Sequence, residues 1–344
     1  MLLGLSDTLP RLVEAKYKAA KGAQSLIFSP TELAILRTPN GLPFQLRYCP
    51  SLAKKPQPLA QKAPKTKKPN PFENPDPALH IADIPSSNPT HYLVLNKFPI
   101  IPEHFILVTK SYKQQTHALE EDDLEATYVC LKAWQGDLAN GQQRRLFAFF
   151  NSGEHSGASQ PHRHLQFLPV ENVKADNENN DWELLIDDIL ANAKPADQEG
   201  LLQNAVVPFT HYAVRFPDEP TPSQLLKAYH DLYRAAEKAV RAFEQNDPAK
   251  LALHSTEGGD LPISYNLGIT TSGMVILPRR AEGGMLRRDD GTEAGFVALN
   301  GTTIGGTLMV KHEEEWKTLR AQPSKLDGIL NAIGIPNTSY TQKL

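Results

Sequence analysis

Compact apolar runs bounded by turn-forming residues recur along the middle of the chain. Tyr92–Lys97 (YLVLNK), Phe105–Thr109 (FILVT) and Leu146–Asn151 (LFAFFN) are short and rich in aromatic and branched residues, which predicts strands. Between the last two, Asp122–Ala139 carries Leu124, Tyr128, Leu131 and Leu138 at helical spacing behind an acidic first turn, which predicts a helix. A second helix is predicted after Thr221-Pro222-Ser223, with Leu226, Tyr229, Tyr233, Ala236, Val240 and Phe243 along one side. Further strands are predicted at Ile263–Ile269, Met274–Leu277 and Leu308–Lys311, and Glu313–Ile333 reads as a helix broken at Pro323. Strands and helices mix without regular βαβ alternation. That favours an α+β fold with an antiparallel sheet over a doubly wound one.

One stretch stands apart. Seven of the 28 prolines fall between Lys54 and Pro77, and Lys54–Lys68 carries six lysines and no acid. Such a segment buries no core and reads as an extended loop, with a lysine at its edge able to reach a phosphate. The wider composition narrows the class. No run reaches the ~18 apolar residues of a membrane helix, and Met1–Asp7 lacks a basic region followed by a sustained apolar one, so a cytoplasmic protein is expected. The lysine run leaves nuclear entry open. Two cysteines, Cys49 and Cys130, make a disulfide framework improbable. A net charge of −3 from 36 basic and 39 acidic residues argues against a general nucleic-acid binder.

The chemistry is concentrated in Asn151–Pro169, NSGEHSGASQPHRHLQFLP. A polar, glycine-bearing loop runs directly into His162-Arg163-His164-Leu165-Gln166. On a strand, His162, His164 and Gln166 project from one face while Leu165 and Phe167 face a core. Small residues just before such a strand let backbone N–H groups and a hydroxyl approach a phosphate. Three readings compete. The imidazoles are a buried structural pair, or metal ligands with His104 and His155 as further donors, or one of them is a nucleophile toward phosphorus. The flanking loop suits the nucleophile best.

The HxHxQ strand after this loop resembles the histidine-triad superfamily in its transferase branch, which includes galactose-1-phosphate uridylyltransferase. The similarity is closer to the fungal diadenosine tetraphosphate phosphorylases, or ATP adenylyltransferases. Pro50-Ser51-Leu52-Ala53-Lys54-Lys55-Pro56 resembles that family's N-terminal lysine motif, and Leu95–His104 (LNKFPIIPEH) its N-K-F-P-x-x-P-E-H signature. Asn300–Lys311 resembles the C-terminal substrate-contacting stretch, and Gly334–Ser339 also fits. The resemblance is dense over 91–169 and thin over 170–255.

It implies a fold of two fused halves, a catalytic one over 1–170 and an adenylyltransferase-type one over 190–335, within a monomer. It implies splitting of diadenosine tetraphosphate by inorganic phosphate into ATP and ADP, reversibly. His164 would be the nucleophile, His162 would orient the strand, and Gln166 would donate to a non-bridging oxygen. Hydrolases of the superfamily carry histidine where Gln166 stands, so glutamine favours phosphate over water as acceptor. Asn151, Gly157, Ala158, Ser159 and Gln160 would line the phosphates; Asn96 and Lys97 would contact ribose or phosphate. Lys55 and Lys311 would supply positive charge, and Asn300, Gly301, Thr302 and Thr307 would meet the second nucleotide. Mg²⁺ is expected through the substrate, with no residue assigned to a protein-held metal and no nucleic-acid or membrane partner. The alternatives are a sugar-phosphate nucleotidyltransferase, a dinucleoside polyphosphate hydrolase, or a metal- or nucleotide-binding protein without turnover.

Overall fold

The computed structural model describes residues 3–53, 70–137, 141, 143–174, 182–196, 200–247, 249–338 and 340. Ten strands form one sheet, in the order Lys194–Pro195, Leu202–Gln203, Tyr212–Arg215, Gly273–Arg279, Ser264–Thr270, Leu146–Ser152, His164–Pro169, Phe105–Thr109, His91–Leu95 and His80–Ile84. Every pairing in it is antiparallel. The α+β expectation is met. The N-terminal and C-terminal halves of the chain join at the sheet's centre, where Asn151 lies opposite Asn266 and Phe150 opposite Leu267.

Each sheet face carries its own core, because side chains alternate across the pleat. On one side Ala148, Phe150, Leu165, Phe167, Leu267 and Ile269 pack under the helices Leu9–Gly22, Glu121–Trp134 and Pro222–Asn246. On the other side Phe147, Phe149, Leu168, Val275 and Leu277 pack with the helices Leu185–Asn192, Glu313–Ala321 and Lys325–Ile333. Burying each large apolar side chain of this kind is worth about 1.5–3 kcal/mol.

The helix Pro222–Asn246 starts where its sequence says. Thr221 accepts from the Gln224 backbone, Gln224 answers to the Thr221 N–H, and Pro222 occupies the first turn. Its buried stripe is Leu225, Ala228, Tyr229, Leu232, Ala236 and Val240. The expected Leu226, Tyr233 and Phe243 flank that stripe, only partly buried. The other early helix ends at Trp134, short of Ala139, because Gln135 is extended and Gly136-Asp137 pairs with Gln143-Arg144. Pro323 separates the last two helices as expected.

A small second sheet delivers the end of the chain to the centre. Glu32–Arg37 pairs antiparallel with Pro43–Tyr48, and Thr307–Val310 adds in parallel, Thr307 opposite Gln45 and Val310 opposite Tyr48. The Asn300–Lys311 segment is thereby anchored against the N-terminal part of the chain. The proline- and lysine-rich stretch lies mostly outside the described residues. Its end, 70–77, is a run of turns that returns over the triad strand.

Candidate active site

His164 opens the central strand His164–Pro169, opposite Val108. Its backbone N–H donates to Gln115 Oε1 (2.8 Å), and the Gln115 amide donates to the Asn151 and His164 carbonyls (2.8 and 3.1 Å). The imidazole Nδ1 lies 2.8 Å from the His162 carbonyl, which can only accept, so Nδ1 carries the proton and Nε2 keeps its lone pair. His164 is 3 % exposed, and burial pulls its pKa down to about 4, so the ring is neutral at pH 7.

His162 departs from the expected strand. It precedes the regular ladder, in an isolated bridge to Gln114, since Pro161 ahead of it has no N–H to pair. Its Nε2 meets the Thr109 carbonyl (2.8 Å) and its Nδ1 meets the Asn70 amide (3.0 Å). Phe72 lies against both imidazoles, its ring centroid 6.0 Å from His162 and 5.1 Å from His164. The two rings share a side, as alternation predicts. Arg163 points away, reaching Glu120 (2.7 Å) and the fully buried Asp123 (2.8 Å), which His91 also contacts (3.0 Å).

Gln166 faces a cleft of about 510 Å³. A chain of bonds sets its amide. The Phe98 N–H donates to Asn96 Oδ1 (2.9 Å), which leaves Asn96 Nδ2 to donate to His104 Nδ1 (3.1 Å). His104 Nε2–H then donates to Gln166 Oε1 (3.0 Å), and the Gln166 NH₂ is left for a ligand. Burial takes the His104 pKa to about 4, so this tautomer persists at neutral pH. Glu103 ahead of it sits at φ +60°, a left-handed position costing about 1–2 kcal/mol for a non-glycine residue.

Of the expected site residues, Asn96, Gly157, Ser159, Gln160, Gln166, Asn300, Thr302, Thr307 and Lys311 line this cleft, with His104, Phe149 and Glu282. Gly157 has φ +77° and comes so close to Asn300 that an added Cβ would sit 2.8 Å from the Asn300 Cβ. Asn300 Oδ1 accepts from the Thr302 N–H and hydroxyl (3.0 and 2.9 Å), which turns the Asn300 NH₂ outward. The Thr307 hydroxyl points instead toward Gln45.

His164, His162, Lys97, Asn151, Ala158 and Gly301 do not line the cleft, and Lys55 lies outside the described residues. Asn151 is a brace: its Oδ1 accepts from Gly301 N–H (2.9 Å) and Asn266 Nδ2 (2.8 Å). Behind them the fully buried Arg279 donates to Asn266 Oδ1 (2.5 Å) and to the Ala281, Glu282 and Leu299 carbonyls. Burial lowers its pKa to about 9. Sequence reasoning missed Asn70, Phe72, Gln115, Asn266 and Arg279. None belongs to a motif, and neutral amides carry no pattern of their own. His104 sat inside a recognised signature and was read only as a candidate metal donor.

A neutral histidine oriented beside an amide donor and a glycine–serine loop defines a group-transfer site for phosphorus chemistry. Residues 3–188 match the Ap4A phosphorylase N-terminal domain and residues 205–336 the ATP adenylyltransferase C-terminal domain. The chain therefore belongs to the Ap4A phosphorylase family and is a nucleotidyltransferase. It is 29 % identical over 345 residues to diadenosine 5',5'''-P1,P4-tetraphosphate phosphorylase 2 of Saccharomyces cerevisiae, covering 97 % of each chain. It is 30 % identical over 347 residues to Protein APA1 of the same yeast, covering 98 % of this chain and 97 % of that one. The crystal structure of yeast Ap4A phosphorylase Apa2 in complex with Ap4A is similar, with TM-score 0.75 and 26 % identity, covering 98 % of this chain and 100 % of that one.

Proposed function

We propose that the chain splits Ap4A with inorganic phosphate into ATP and ADP, reversibly, through a nucleotidyl-histidine. The observation that carries this reading is the 2.8 Å bond from His164 Nδ1 to the His162 carbonyl, which leaves Nε2 as an oriented, unprotonated nucleophile. Nε2 attacks the α-phosphorus and the bond to the bridging oxygen breaks, releasing ATP. A phosphate oxygen then attacks the same phosphorus, the P–N bond breaks, and AMP leaves on phosphate as ADP. The leaving polyphosphate needs no proton, which suits an amide at position 166. Gln166 NH₂, Asn300 NH₂ and the backbone of Gly157–Gln160 meet the phosphoryl oxygens, and Lys311 offsets charge. Phe98, Ile100, Ile101 and Leu168 give the cleft an apolar wall for a base.

Among the described residues Glu282 is the single acid lining the cleft, which offers no cage for Mg²⁺; the ion is held through the tetraphosphate and neutralises part of its charge there. A central sheet shared by both halves of the chain supports a monomer. Buried free Cys49 and Cys130 agree with a reducing compartment such as the cytoplasm. The test is product analysis with Ap4A and Mg²⁺, with and without phosphate. ATP plus ADP only when phosphate is present is the expected result. ATP plus AMP without phosphate would mean a hydrolase and overturn the reading.

A further inference from the structure

The first part of the anion loop carries groups that the transfer reaction does not use. Glu154, His155 and His254 bring one carboxylate oxygen and two imidazole nitrogens within 4.8 Å of one another. Glu154 Oε1 lies 3.3 Å from His155 Nε2 and 3.5 Å from His254 Nδ1. Both contacts are longer than the 2.8 Å bond that His254 Nε2 makes to Ser264 Oγ. Two ligands bound to one tetrahedral zinc, each at about 2.0–2.1 Å, stand about 3.3–3.4 Å apart. The two carboxylate–imidazole spacings are those of groups sharing an ion, and the two imidazole nitrogens lie within 4.8 Å of each other.

The surroundings hold the donors in place. Ser264 Oγ accepts from the His155 backbone N–H (3.1 Å) while meeting the far nitrogen of His254. When His254 gives its Nε2–H to that oxygen, its Nδ1 lone pair faces the carboxylate, the tautomer in which an imidazole oriented by an outer partner ligates a metal. The His254 backbone is itself fixed by donation to the Pro262 carbonyl (2.9 Å). Gly153, at φ +86°, lets the loop close on Ser264: a Cβ there would sit 2.8 Å from the Ser264 Cα.

We propose that Glu154, His155 and His254 bind a divalent transition-metal ion, zinc being the kind that two imidazoles and a carboxylate suit. The exposed Glu154 leaves the remaining coordination position to water. The ion clamps the start of the anion loop to the segment leading into the Ser264–Thr270 strand. It is separate from any cation that travels with the polyphosphate, since none of the three donors lines the nucleotide cleft.

The test uses the full chain without an affinity tag, stripped with chelator and titrated with Co²⁺ and Zn²⁺. One equivalent of Co²⁺ giving visible d–d absorption, displaced by Zn²⁺, is expected. His155→Ala and His254→Ala should each weaken binding by roughly a hundredfold while circular dichroism stays native. Zinc should raise the melting temperature of the parent and not of either variant. Absence of d–d absorption at stoichiometric metal, or binding that survives in either variant, overturns the proposal.

Discussion

His104 Nε2 donates to Gln166 Oε1 over 3.0 Å, and that one bond decides which end of the Gln166 amide faces the cleft. Replacing Gln166 by Glu keeps the oxygen that His104 needs but turns a second, negatively charged oxygen toward the phosphates. Activity should fall by about 10²–10³-fold or more in kcat. His104→Ala leaves the amide free to flip and should lower kcat by about 10–100-fold with little change in KM. Steady-state kinetics on the two variants checks both.

Removing the nucleophile should be more severe. His164→Gly should lower phosphorolysis by at least roughly 10⁴-fold, as losses of covalent nucleophiles do. Nucleotide binding, measured by calorimetry, should survive, because Asn96, Asn300 and Lys311 line the cleft independently of that ring. Complete loss of binding together with turnover would contradict the assignment.

The acid limb of activity follows from the same burial. The His164 pKa of about 4 places loss of the free nucleophile near pH 4, well below the ~6.5 of an exposed imidazole. In a plot of kcat/KM against pH, the acid limb of the free enzyme should fall there.

Stability should respond over the interval between those values. His104, His164 and His211 are each held neutral by burial, with pKa about 4, and each binds a proton near 6.5 once unfolded. Between those values the unfolded chain binds more protons, so stability is fully present above about pH 6.5 and falls as pH drops toward 4. Three such groups give a slope of up to about 4 kcal/mol per pH unit near pH 5. Urea denaturation at stepped pH measures it.

Arg163 is the stability partner of the triad strand. Arg163→Ala would leave the fully buried Asp123 without its guanidinium, with His91 and the Glu120 backbone N–H as its remaining partners, at a cost of about 3–5 kcal/mol. Chemical denaturation should show that loss, and the fall in activity should track the unfolded fraction.

Short-range patterns determined much of this protein. The apolar run Phe105–Thr109 is a strand over those same residues, the Thr221-Pro222 start begins a helix, and Pro323 ends one. Each depends on neighbours within a turn or a pleat, so the chain carries the information locally. The triad was legible for the same reason: histidines two residues apart on a strand share a side wherever that strand goes. The strand Glu32–Arg37 and the hairpin Gly283–Arg287 with Glu293–Ala298 were not legible, because their mixed burial leaves no clean alternation.

What the tertiary structure alone decided is which distant groups meet. Thr307–Val310 reaches the cleft because it pairs in parallel with Pro43–Tyr48, a contact selected by burial across more than half the chain. Asn151 braces Gly301, Asn70 meets His162, and His104 turns Gln166 because buried polar atoms must find partners, wherever in the sequence those partners lie. The residue types that do the chemistry are written locally. Their protonation, their tautomers and the direction of each amide come from desolvation and hydrogen bonds that exist only once the sheet has closed around them.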